Sequence, residues 1–299
     1  MKARLKDSVF LTKTTFKKWW GRDPFSQSAV IAYSSVFSLP GLMVVVITVA
    51  GYFFGNEAVS GRMHSEITAA MGKDTADEVG QMVSIAGQGK KSIIATAIAI
   101  VTIILGATGV MVEFQKDLNI IWEVKADPDR SGIINFLKTR LFSFALILSV
   151  AFLLLISLVL SSFLSAISNW VKLHWSESLM IIFQLLNFVV SLGLITILFA
   201  LMFKILPDAK IKWRSVWLGA FVTSLLFVAG KTLLGLYFGK ADPASGYGAA
   251  GSVVLILLWT SYSSIIVLFG AEFTKVFSDR YYGEAPAAET ARKDEGREK

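Results

Sequence analysis

The sequence predicts an all-α, polytopic membrane protein with six transmembrane helices and both termini in the cytoplasm. Three observations predict it. The 299 residues are 54% hydrophobic and only 17% charged, with a mean hydropathy of +0.61, whereas water-soluble domains carry about 25% charged residues. The deficit in charge is concentrated in six apolar tracts. The basic residues between those tracts fall mostly on one side of the chain's alternating path.

The tracts are Ala29 to Phe54, Ser92 to Val112, Leu141 to Ile167, Leu179 to Phe203, Val216 to Phe238 and Ala249 to Ala271. A hydrocarbon core about 30 Å thick needs roughly 20 helical residues, because backbone groups inside lipid must satisfy one another. All six tracts meet that length. Five hold no charged residue, and the remaining one holds only Lys231. Barrel strands alternate and run only about 10 residues, so these tracts are read as helices.

Orientation follows from the basic residues, which resist translocation. Of the 29 lysines and arginines, 22 lie before the first tract, in the second and fourth connections or in the tail, and six lie in the other connections. That bias places both ends in the cytoplasm. The same distribution accounts for the net charge of +7, so nucleic acid is not an expected partner.

Residues 1–27 are predicted to form a cytoplasmic amphipathic leader on the inner leaflet, with Leu5, Val9, Phe16, Trp19 and Trp20 set among lysines. The basic region and the tract behind it are too long for a cleavable signal. Residues 28–277 form the transmembrane domain. Its outer loop, residues 55–91, carries Val59, Met63, Ile67 and Met71 and then Val79, Met82, Val83 and Ile85, which predicts two short amphipathic helices broken near Gly72. Residues 278–299 are predicted to be a disordered tail, since from Glu284 onward no large apolar residue remains.

Ionisable groups within a span are costly and so are candidates for function. Lys231 lies about 21 Å above Trp217 at 1.5 Å per residue, in the outer half of the fifth helix. Gln184 and Asn187, three apart on the descending fourth helix, reach a similar depth, so Lys231, Gln184 and Asn187 are expected to form a substrate path. Pro40 should kink the first helix beside Ser34, Ser35 and Ser38 and free carbonyls toward that path. At the inner face Glu272 and Glu113 are expected to pair with Arg140, Lys204 and Arg214, as a gate or a clamp.

Chemistry of other kinds finds no support. There is no cysteine, and His64 and His174 are the only histidines, so no metal site, thiolate chemistry or cofactor is expected. No nucleophile elbow or phosphate loop occurs, and no catalytic residue is assigned.

Four runs carry a family resemblance. They are Ser28 to Met43 (SAVIAYSSVFSLPGLM), Leu118 to Trp122 (LNIIW), Leu206 to Ala220 (LPDAKIKWRSVWLGA) and Tyr247 to Phe273 (YGAAGSVVLILLWTSYSSIIVLFGAEF). In this order they resemble the YihY and virulence factor BrkB family of bacterial inner-membrane proteins. Departures are Ser34 and Ser35, where bulkier residues are common, and Gly41, where a second proline is common. The resemblance implies six helices with both ends inside. It also implies links to serum resistance and to envelope lipid and lipopolysaccharide traffic. Some relatives carry the label ribonuclease BN, which the missing metal ligands argue against here. The expectation is a transporter or flippase of an amphipathic envelope lipid, not an enzyme. The alternative is a non-transporting membrane scaffold in envelope biogenesis. Membrane lipids are the expected partners, and a homo-oligomer is left open.

Overall fold

The computed structural model of the protein describes residues 2–87, 93–126, 149, 178–241, 243–288 and 291–294. A leader helix α1 (Lys2–Trp20) is followed by α2 (Pro24–Phe54), the shorter α3 (Asn56–Met71) and α4 (Lys73–Gly87), and the long α5 (Ile93–Trp122). After strand β1 (Val124–Ala126) come α6 (Ser178–Ile205), α7 (Trp213–Ala241), a 3-10 turn at Ser245–Ala250, α8 (Gly251–Tyr282) and strand β2 (Ala291–Lys293).

Among the described residues, four helices are long and apolar enough to cross a membrane: Pro24–Phe53, Leu185–Ile205, Trp213–Ala241 and Gly251–Tyr282. They carry the first, fourth, fifth and sixth apolar tracts. The second tract from Ile93 onward lies in α5, a helix of 30 residues. The third tract, residues 141–167, lies outside the described residues apart from Ser149. Large apolar side chains such as Tyr33, Phe37, Leu225, Leu233 and Leu236 remain exposed along α2 and α7. A lipid environment accepts that exposure at no cost.

Local chemistry sets the ends of these elements. Asp23 adopts φ 52°, and its carboxylate accepts from the Ser26 N–H at 3.4 Å, with Pro24 at the first helical position. This is an N-cap followed by a residue that has no N–H to leave unpaired. Gly55 (φ 85°) and Gly72 (φ 91°) turn the chain between α2, α3 and α4, a region that side chains with a Cβ rarely enter.

Pro40 lies inside α2, whose helix runs on through it to Phe54. Two serines before it bond within the helix and across to α5. Ser35 donates to the Ile31 carbonyl at 2.8 Å, and Ser38 accepts from the Val110 N–H of α5 at 3.2 Å.

The main core gathers where α1, α2, α5, α6, α7 and α8 converge, around Trp19, Ile31, Leu118, Trp122, Phe203 and Leu268. Helix α1 is docked on α8 through buried Leu11, Thr15 and Trp19, with Trp19 meeting Phe269 edge-on at 5.6 Å. Its opposite face leaves Val9, Phe10, Phe16 and Trp20 exposed. The leader is thus held by protein on one side and keeps an aromatic face for an interface on the other.

Helices α7 and α8 approach closely by exchanging small residues. A Cβ on Gly219 would lie 1.8 Å from Thr274 Oγ1, and one on Gly270 would lie 1.9 Å from Thr223 Oγ1. Each threonine hydroxyl donates to its own helix, Thr223 to the Gly219 carbonyl and Thr274 to the Gly270 carbonyl, both at 2.7 Å. The hydroxyls are therefore satisfied while their bulk fills the glycine notches.

The described part of the tail departs from expectation. Gly283 (φ 78°) ends α8, and residues 283–288 and 291–294 beyond it make defined contacts with the bundle. Strand β2 pairs antiparallel with β1, Lys210 N–H donates to the Pro286 carbonyl at 2.8 Å, and Ala288 N–H donates to the Asp208 carbonyl at 2.9 Å. Lys125 also pairs with Asp294 at 2.7 Å. Backbone hydrogen bonds, with Ala285 buried in the main core and Ala287 packed against it, hold a segment that carries no large apolar residue. Residues 295–299 lie outside the described residues.

Candidate functional site

Both terminal segments meet at one end of the bundle, while α3 and α4 cover the other. Each end holds an ion cluster.

At the α3–α4 end a cavity of about 350 Å³ opens between α2, α3, α7 and α8. Leu39, Leu42, Met43, Val110, Phe227, Ile256 and Trp259 form its apolar wall, and Ser35, Ser38, Thr260, Glu66 and Lys231 supply polar atoms. Lys231 Nζ lies 3.3 Å from Glu66 Oε2, and Arg62, one turn earlier on α3, lies 2.9 Å from Glu66 Oε1. The expected partners of Lys231 were Gln184 and Asn187. Asn187 instead is exposed on α6, and the Gln184 side chain lies outside the described residues. Lys231 finds a carboxylate because α3 folds back over the end of α7. An ammonium gains more from a carboxylate than from neutral amides. Glu66 was missed by sequence reasoning. The signal available was its i, i+4 spacing from Arg62 on a predicted outer helix.

A second, larger cavity of about 590 Å³ lies beyond this, where the α3–α4 turn meets the end of α7 and the 245–251 turn. His64, on α3, contacts Asp77 of α4 at 2.8 Å and ties that helical pair together. His174 lies outside the described residues.

At the opposite end Glu272 has no exposed surface. Its partner is Arg22, whose Nε lies 2.9 Å from Glu272 Oε2. This is ion-pair contact without hydrogen-bond alignment, since neither Glu272 oxygen has a donor in line among the described residues. Arg22 does more than pair. It donates to the Ile120 carbonyl at 2.7 Å and to Glu123 Oε1 at 2.9 Å, so one guanidinium closes the carbonyl end of α5 and bridges two carboxylates. Glu123 in turn lies 3.3 Å from Lys275, which pairs with Asp279 at 2.9 Å. Burial would raise the Glu123 carboxyl, but Lys275 and Arg22 outweigh it and hold it below its ordinary value.

Among the described residues, Glu272 and Glu113 pair with cations other than the expected Lys204 and Arg214. Glu113 pairs with Lys116 on its own helix at 2.8 Å. Lys204 donates to the Ile211 carbonyl and stands 5.6 Å from the centre of the Trp213 ring. Arg214 is exposed, and Arg140 lies outside the described residues. The linker between α1 and α2 supplies the cation instead, because the docking of α1 on α8 carries Arg22 to Glu272.

A third contact joins α5 to the α6–α7 connection. Asn119 donates to Asp208 Oδ2 at 2.7 Å and accepts from the Asp208 N–H at 2.8 Å, and Gln115 donates to the same oxygen at 3.3 Å. The runs LNIIW and LPDAKIKW thus meet through Asn119 and Asp208.

Long apolar helices with polar groups gathered at two ends define a polytopic helical membrane protein. Within that class the chain belongs to the virulence factor BrkB family, whose model matches residues 15–295. It is similar to a UPF0761 membrane protein of Pseudoalteromonas atlantica, 26% identical over 271 residues, covering 88% of this chain and 85% of the relative. A UPF0761 membrane protein of Tolumonas auensis is 28% identical over 188 residues, covering 62% of this chain and 58% of the relative. The UPF0761 membrane protein YihY of Salmonella typhimurium is 30% identical over 184 residues, covering 60% and 58%. No solved structure matches the chain.

Proposed function

We propose that the protein is a transporter or flippase of an amphipathic envelope lipid, resident in the inner membrane with both termini cytoplasmic. The observation that carries this reading is the cavity of about 350 Å³ among α2, α3, α7 and α8, apolar along its wall and charged at Glu66 and Lys231. Such a volume is at the small end of ligand pockets, about 300–1,000 Å³. It suits a headgroup and the start of its chains, with the remaining methylenes left in the bilayer. In this reading Lys231 meets the headgroup, and the sealed Arg22–Glu272 pair is a clamp on the cytoplasmic side. Gln184 and Asn187 stay candidates for the path on α6, and Pro40 for the flexing of α2.

The test is movement of a fluorescent phospholipid across proteoliposomes of the purified protein, read by chemical quenching from one side. The wild type moves lipid above the protein-free rate. Lys231→Ala lowers that rate about tenfold, the size of one lost charge-assisted contact. Folded protein that moves no lipid would refute the reading and favour a membrane scaffold.

A further inference from the structure

Glu66 and Lys231 line this cavity, and Arg62 stands outside the lining against Glu66, so the charges gathered here do not balance. Arg62 and Lys231 share the single carboxylate of Glu66, one on each oxygen, at 2.9 Å and 3.3 Å. Among the described residues neither cation pairs with a second carboxylate. One positive charge is left over, beside a wall of leucine, isoleucine, phenylalanine and tryptophan. The three side chains are 44%, 46% and 40% exposed, so their contacts are solvated and part at little cost.

A ligand that fits must bring one negative charge next to an apolar body. A phosphodiester esterified to an acylated glycerol does so. It is a monoanion, and its two non-ester oxygens present the same paired geometry as a carboxylate, which a guanidinium and an ammonium both recognise. We infer that Arg62 and Lys231 bind the phosphodiester of a glycerophospholipid, and that Glu66 is a resident carboxylate that positions both cations and competes with that phosphodiester. The inference rests on reading the cavity as the cargo site. It adds the headgroup class and an opposing role for Glu66.

The opposing role gives the test its sign. Binding of a chain-labelled phosphatidylglycerol to the full-length protein in detergent is followed by fluorescence anisotropy. Arg62→Gln and Lys231→Gln each weaken binding about tenfold, Lys231→Arg retains it, and Glu66→Gln tightens it. Diacylglycerol with the same chains binds at least about tenfold more weakly. Unfolding midpoints in the same detergent identify any variant that fails to fold, and the opposite signs of Glu66→Gln and Arg62→Gln then decide. If Glu66→Gln weakens binding as Lys231→Gln does, the trio is merely architectural and the inference falls. It also falls if diacylglycerol binds as tightly as phosphatidylglycerol, or if glycerophosphate competes at the same concentration as the lipid.

These outcomes separate from those of the transport assay. Charge-dependent binding of the expected signs without lipid movement refutes transport and supports the headgroup site. Lipid movement indifferent to Arg62→Gln and Glu66→Gln refutes the headgroup site and leaves transport standing.

Discussion

Glu272 and Glu66 are carboxylates paired with cations from distant segments, Arg22 and Lys231, yet their surroundings differ in the respect that decides what each pair can do. The Glu272 side chain has no exposed surface and that of Arg22 is 13% exposed, whereas Glu66 and Lys231 are 46% and 40% exposed. A sealed pair cannot lose one member without stranding a charge in a medium that cannot solvate it. An open pair exchanges its partner for water or for a ligand at little cost. The termini end therefore holds the pair that is costly to open. The α3–α4 end is the part with charge to spare.

The sharpest way to break this contrast is to remove one sealed partner. Arg22→Ala leaves Glu272 buried and unpaired and strips the Ile120 carbonyl of its donor, so a loss of about 3–5 kcal/mol is expected. It is measured by denaturant or thermal unfolding in detergent. Replacing both members together, Arg22→Met with Glu272→Leu, should restore much of that loss, because a packed apolar pair avoids the desolvation cost. An Arg22→Ala variant as stable as wild type would remove the distinction between the ends.

Next in size is the packing beside that clamp. Gly270→Ala puts a methyl group 1.9 Å from Thr223 Oγ1 and forces α7 and α8 apart, at an expected cost of about 1–3 kcal/mol. Adding Thr223→Ala should relieve only part of it, since the Thr223 Cβ itself lies 2.8 Å from the new methyl. A double-mutant cycle measures the coupling.

A smaller effect depends on pH. The Glu123 carboxyl is held below its ordinary value by Lys275 and Arg22. Its contribution is therefore present above the unfolded carboxyl pKa, about 4.3, and is lost as pH falls from there through the lower folded value. Unfolding midpoints from pH 7 down to pH 3 should show this loss in the wild type, with a smaller fall in Glu123→Gln. The smallest effect on stability belongs to the open pair. Lys231→Ala should cost about 1 kcal/mol or less.

The long apolar helices were legible in sequence because lipid imposes a length and a lack of charge that few other demands produce. Gly72 was legible as the break between the outer helices for a similar reason, since it interrupts two apolar stripes. Glu272 was visible as a costly charge, but its partner was not. Proximity along the topology favoured Arg140, Lys204 and Arg214, whereas Arg22 arrives through the docking of α1 on α8, a contact between the two extremes of the chain. Lys231 was found by its cost in a span, and Glu66 was passed over because α3 read as a plain cap. The tail was misread because composition reports what a segment can bury and is silent on backbone pairing, which is what joins Ala291–Lys293 to Val124–Ala126.

The contrast between the two ends has functional meaning only if they face opposite sides of the membrane. The chain contains no cysteine, so single cysteines report without background. In intact bacterial cells with a permeabilised outer membrane, His64→Cys on α3 and Glu284→Cys beyond α8 are treated with a membrane-impermeant maleimide. The account predicts that position 64 is labelled at once and position 284 only after the inner membrane is opened. Labelling of both positions in intact cells, or of position 284 alone, would contradict it.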